Sequence, residues 1–186
     1  MIYIAFNKPY RVLSQFKPME GKSDLREFVQ LKEKPTAIGR LDFDSEGLLL
    51  MTDDLSFRHR VTSPSSEIEK EYLVQVEGIP EESDLDKLRK GITTSGEIYL
   101  PAKAKIISEP EFLWERNPPI RFRKEKPTSW ISVIIIQGKN RQVRKMTAAI
   151  GFPTLRLIRL RVGNISLDGL KPSEFRYFQK KDFKNK

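Results

Sequence analysis

Asp42, Asp44 and Glu46 stand at alternate positions in GRLDFDSEGLLLMTDD, residues 39–54, and Gly47 separates them from the apolar run Leu48-Leu49-Leu50-Met51. Carboxylates so spaced suit three kinds of chemistry. They can ligate a hard cation, one of them can react at the end of a strand, or they can keep a turn hydrated. As a calcium loop the acids fall at its first, third and fifth places, Gly47 at the sixth, Leu49 at the apolar eighth and Asp53 at the twelfth. Against that reading, Pro35 and Gly39 interrupt the helix that should enter, the exit reads as a strand, and Asp53 is shorter than the usual two-oxygen Glu ligand. A glycosidase would need two carboxylates facing each other across a sugar, which neighbouring loop positions do not establish.

The elements that must hold this loop follow from periodicity. Met1 to Phe6 reads as a strand ended by Asn7-Lys8-Pro9. Ser23 is expected to cap a short helix carrying Leu25, Phe28 and Val29, and the run 48–51 is short enough for a buried strand. Leu55 to Val61 suits a helix ending before Pro64, and Tyr72, Val74 and Val76 alternate as on a strand with one drier face. Ser83 is expected to start an amphipathic helix that stops at Gly91. Residues 97–107 read as a strand, and 108–127 as an excursion with no core role. Trp130 to Ile136, the most apolar strand, is expected in the middle of a sheet. A helix over 140–150 presents Val143, Met146, Thr147 and Ile150 on one face, with Gly151 as its stop. Apolar residues at 155 and 157, then at 158, 160 and 162, slip by one position and predict a bulge near Leu157-Ile158. The fold class expected is α+β, with a mixed, largely antiparallel sheet flanked by helices.

Composition narrows the function. With no cysteine there is no disulfide or thiolate site, and with His59 as the single histidine a Ser-His-Asp triad or multi-histidine metal site is disfavoured. No run approaches a membrane span and the N-terminus lacks the pattern of a signal peptide, so a cytoplasmic protein with no membrane partner is expected. The net charge is +9, and residues 121–186 hold 17 Lys+Arg against 4 Asp+Glu. Such asymmetry attracts a polyanion, and composition alone fits a catalytically silent RNA- or ribosome-binding protein as well as an enzyme.

GRLDFDSEGLLLMT resembles the GRLDxxSEGLLLLT signature of the pseudouridine synthases that modify ribosomal RNA, most closely those acting on the large subunit. FNKPYRVLSQF, KEYLVQVEG, GKNRQVRKM and GFPTLRLIRLRVGNISLDGL agree in the same order, over nearly the whole chain. Tyr10 departs from the pattern, standing where glycine is common after the lysine-proline pair. The resemblance implies two small lobes around a central cleft in one catalytic domain over 1–186; many relatives carry a small RNA-binding domain in front, no separate one is expected here, and 179–186 reads as a basic tail. It implies a monomer that needs no cofactor and no metal, acts on large-subunit ribosomal RNA and flips out the target base. It also implies a catalytic set of Asp42, Tyr72 and Arg144: the carboxylate that reacts, the ring on which the base stacks, and a guanidinium that keeps the carboxylate charged and oriented. The RNA-binding set expected with it is Lys8, Arg40, Lys139, Asn140, Arg141, Gln142, Lys145, Arg156 and Arg159. Of these, Arg141 and Lys145 share a helix side with Arg144, while Arg156, Arg159 and Arg161 extend the track along the next strand. Asp44 and Glu46 are expected to shape the turn, accept backbone hydrogen bonds, or support Arg40.

Overall fold

Leu48 to Met51 are apolar four in a row because their strand is covered on both faces, where a half-solvated strand would alternate. The computed structural model describes residues 1–33, 35–94, 96–120 and 126–185. Among these residues, nine strands join one sheet. They are β1 (Tyr3–Lys8), β2 (Thr36–Ile38), β3 (Glu46–Thr52), β4 (Lys70–Glu77), β5 (Lys103–Ile107), β6 (Thr128–Ile135), β7 (Thr154–Val162), β8 (Ile165–Ser166) and β9 (Phe175–Tyr177). Their order is β9-β1-β3-β7-β4-β6-β5, with β2 beside β3 and β8 beside β7. The β3–β7 pair is parallel and the others are antiparallel. The expected α+β class, with a mixed and mainly antiparallel sheet, is what forms.

Alternate residues feed two cores. Leu49, Met51, Val74 and Val133 pack with Leu85 and Leu88 of α2 (Glu82–Lys90) and Val143 and Met146 of α3 (Gln142–Ala149). Leu48, Leu50, Leu73 and Ile158 pack with Phe57 and Val61 of α1 (Leu55–Thr62) and with Phe183. Each fully buried leucine contributes roughly 1.5–3 kcal/mol. No described helix is long and apolar enough to cross a membrane.

Several local expectations shift. β1 runs on through Asn7 and Lys8, which pair with Leu48 and Gly47, and Pro9 is the residue that stops it. Asp24, not Ser23, caps a single 3-10 turn (Leu25–Glu27), and Glu81, not Ser83, caps α2; in each case a capping box with the acid three residues on prevails. The strand read over 97–107 is broken before β5 around Pro101: Glu97–Tyr99 forms a hairpin with Ile92–Thr94, and β5 joins the main sheet. β6 lies one place in from the edge while β3, β7 and β4 hold the centre, since apolarity reports cover on both faces rather than rank in the sheet. β7 is regular through Leu157 and Ile158, and its register shifts fall on either side, at 154–156 and 159–161. The excursion is not idle, because Leu113 and Trp114 pack on the second core. Its residues 121–125 lie outside the described residues. The tail is docked rather than loose up to Asn185: Phe183 is buried and Lys180 reaches Asp54 at 2.7 Å. Lys186 lies outside the described residues.

Candidate active site

The acidic loop is held from every side before it enters β3. Ser14 Oγ donates to the Leu41 carbonyl at 2.7 Å and accepts from the Leu41 amide at 3.1 Å. The Arg11 amide donates to the Phe43 carbonyl, the Ser45 amide closes a turn onto Asp42, and Arg159 donates to the Gly39 carbonyl. Gly47 then lets β3 lie against β7. Its φ is +98°, and a Cβ there would collide with the Arg159 backbone. Close strand approach, rather than a sixth calcium-loop position, explains this glycine.

The three acids have separate fates. Glu46 is buried on the second-core side, where it accepts from Arg156 Nε and Nη2 at 2.9 and 3.0 Å and from Trp114 Nε1 at 2.8 Å. Asp44 accepts from Arg141 Nη1 and Nη2, both at 2.9 Å, and lies 3.5 Å from Arg144 Nη2. Burial pushes Asp44 up, but the Arg141 hydrogen bonds and the charges of Arg144 and Arg141 outweigh it and hold the carboxyl below its ordinary value. Asp42 is half-exposed, and its one ion-pair contact among the described residues is Arg141 Nη1 at 3.6 Å. Its oxygens are the least engaged of the three.

Asp42 and Tyr72 line one cavity of about 320 Å³, walled by the 39–45 loop, the 138–143 turn and the β4–β7 face. Tyr72 is almost fully buried and pairs across the sheet with Arg159. Arg144 departs from expectation. Its nearest carboxylate is that of Asp44, and it donates at 2.6 Å to the Asp44 carbonyl, so it grips the loop two residues beyond Asp42. α3 begins only at Gln142, after Arg141 adopts a left-handed φ of 51°, so Asn140 and Arg141 belong to the turn. The expected row of Arg141, Arg144 and Lys145 on one helix side is therefore broken: Arg144 turns inward, and Lys145 pairs with Glu97 at 2.7 Å.

Arg40, Lys139, Asn140 and Arg141 are exposed along the cavity rim. Four other residues of the expected RNA-binding set are not on that surface. Lys8 is fully buried and donates to the Pro9 and Val12 carbonyls; burial pushes it down to about 7 despite nearby Glu46, Asp44 and Asp42. Gln142 is buried and ties the 137–142 turn together. Arg156 is consumed by Glu46, and Arg159 lies in the cavity wall, 3% exposed. Arg161 is neutralised by Glu69 and Glu71. Lys70, absent from the sequence-based set, also lines the cavity. Its position two residues before Tyr72 on an alternating strand is the signal that pointed there.

The sheet and the cavity beside the acidic loop can be set against known proteins. A family model described as RNA pseudouridylate synthase matches residues 2–149, and the chain belongs to this family of RNA pseudouridine synthases. The Vibrio parahaemolyticus protein named ribosomal large subunit pseudouridine synthase E is 49% identical over 176 residues, covering 95% of this chain and 73% of that protein. A protein of the same name from Xanthomonas axonopodis pv. citri is 46% identical over 171 residues, covering 91% of this chain and 90% of its own length. A solved structure described as a pseudouridylate synthase superposes with a TM-score of 0.79 at 27% identity, covering 97% of this chain and 71% of that one.

Proposed function

We propose that this enzyme converts a uridine of large-subunit ribosomal RNA to pseudouridine, with Asp42 as the reacting carboxylate. The observation that carries the assignment is that Asp42 alone of the three loop acids combines loosely held oxygens with a place beside Tyr72 in the cavity. The names of the relatives support the large subunit as the source of the RNA.

The reaction breaks the N1–C1′ bond, turns the uracil, and joins C5 to C1′, while the C5 proton leaves and N1 gains one. Asp42 takes part ionised, by attack on C1′, by attack on the base, or by removal of the C2′ proton. Tyr72 offers a flat face to the extruded base, a contact worth about 1–3 kcal/mol, and in this reading its hydroxyl assists loss of the C5 proton. Arg144 acts as a positioning residue: by fixing the Asp44 carbonyl and carboxylate it sets the backbone that presents Asp42. Arg40, Lys139 and Arg141 meet phosphates at the rim. The chain acts as one catalytic unit, since a single sheet supports both walls of the cleft.

The test supplies the purified protein with 5-tritiated large- and small-subunit ribosomal RNAs lacking the modification. Tritium release from the large-subunit RNA, with a new pseudouridine mapped at one position, is expected. Release confined to small-subunit RNA, or binding without release, contradicts the reading.

A further inference from the structure

Two cations in the cavity wall lack the acid that the other inward-turned arginines possess. Arg144 has Asp44, Arg156 has Glu46, and Arg161 has Glu69 and Glu71. Arg159, 97% removed from solvent, instead donates to two carbonyls: Nε to Leu48 at 2.8 Å and Nη2 to Gly39 at 2.9 Å. Its Nη1 has no hydrogen-bond partner among the described residues. Lys70 Nζ donates to the carbonyls of Ile68 at 2.9 Å and Ile136 at 3.2 Å, which leaves one N–H. Neither side chain has a carboxylate within ion-pair distance among the described residues. They feel each other: burial first, and then the Arg159 charge, push Lys70 down to about 8. A buried Arg159 beside a half-buried Lys70, with no counter-charge in ion-pair reach among the described residues, is costly, and an anion placed between them offsets that cost.

The position specifies the anion. A second cavity, of about 350 Å³, adjoins the first, and the two share Gly39, Lys70, Gly138, Lys139 and Arg159 as common wall. Beyond that wall the second cavity is mainly apolar, with Val61, Pro64, Leu100 and Ile136, and carries Thr62, Ser63, Gln137 and the carboxylate of Glu67 as its polar groups. A chain of alternating bases and phosphates fits this arrangement, with one nucleotide in each chamber and the linking charge at the partition.

We propose that Lys70 and Arg159 form a phosphate subsite that grips the phosphodiester joining the target uridine in the first cavity to a neighbouring nucleotide in the second. This rests on the functional reading above and adds a path for the RNA strand. The charged groups grip the backbone, so the subsite fixes register rather than base identity.

The test measures kcat/KM for tritium release from large-subunit ribosomal RNA over a range of salt, for the unmutated enzyme, Lys70→Met and Lys70→Arg. Loss of one phosphate contact on a single strand should make the slope of log kcat/KM against log salt shallower by about 0.7, with kcat/KM about tenfold lower at low salt. Lys70→Arg should restore the slope. A merely structural Lys70 would lower activity in Lys70→Met without changing the slope, and that result overturns the proposal. Should Lys70→Met fail to fold, the Lys70→Arg enzyme and a melting experiment on the unmutated one decide: inorganic phosphate should raise Tm above chloride at equal ionic strength, and identical curves overturn the proposal. Absence of tritium release by the unmutated enzyme would sink the functional reading instead.

Discussion

Two carboxylate–guanidinium clusters lie two residues apart in the chain and on opposite sides of the sheet. Glu46 is closed: both oxygens are taken by Arg156, Trp114 adds a third donor, and the group is about 1% exposed. The cleft cluster is open: Asp44 is clamped by Arg141 and steadies Arg144, while Asp42 lines the cavity with a single ion-pair contact among the described residues, to Arg141 at 3.6 Å. The same residue types thus do different work according to how many of their lone pairs are filled. A saturated carboxylate holds strands together, whereas an unsaturated one in the cavity is the group the proposed mechanism uses.

Breaking the closed cluster should give the largest energetic effect. Glu46→Gln leaves the Arg156 guanidinium buried without its counter-charge, and about 3–5 kcal/mol of stability should be lost, read as a fall in denaturation midpoint. Replacing both partners, Glu46→Leu with Arg156→Met, should recover most of it. If Glu46→Gln left stability unchanged but abolished catalysis, the division between the clusters would be wrong. Next comes Arg144→Ala, which releases the loop carrying Asp42; about a hundredfold loss in kcat is expected, equivalent to about 2.7 kcal/mol. Rescue by Arg144→Lys should be partial at most, since a lysine cannot reproduce the planar set of donors.

A smaller effect comes from pH. Lys8, at about 7, and Lys70, at about 8, sit below their ordinary 10.5, so between those values the unfolded chain binds more protons than the folded one. Stability should therefore rise as pH climbs from 7 toward 10, with Lys8 alone contributing about 2 kcal/mol between pH 7 and 9. Tyr3, pushed up to about 12 by burial and by Asp54, reverses the trend only above about pH 10. Thermal melts of the unmutated protein and Lys8→Met check this, and the variant should show a flatter rise. The smallest effect belongs to the Arg176–Asp168 pair at 2.8 Å, whose acid is largely exposed. Asp168→Ala should cost at most about 1 kcal/mol.

The sequence exposed the ends of this arrangement better than its middle. The acidic loop, the apolar strand after it, α1 and the buried stripe of α3 are all local patterns, and each formed close to where periodicity placed it. Charge, in contrast, does not say which way it faces. Arg156 and Glu46 are 110 residues apart, and nothing near either one announces the other. Arg159 and Arg161 looked like a surface track, but the register shift between them sends one into the cavity wall and the other to a pair of acids. Trp114 sits in a Pro- and Glu-rich segment with no periodicity, and its role is visible only once Glu46 is known to be buried beneath it.

The most direct measurement compares Asp42→Asn with Asp44→Asn in single-turnover tritium release from 5-tritiated large-subunit ribosomal RNA, with RNA binding recorded alongside. Asp42→Asn should bind RNA as the unmutated enzyme does and release tritium at least about a thousandfold more slowly. Asp44→Asn should retain measurable turnover. Unimpaired release by Asp42→Asn, in a protein that melts normally, would contradict the assignment of the reacting carboxylate.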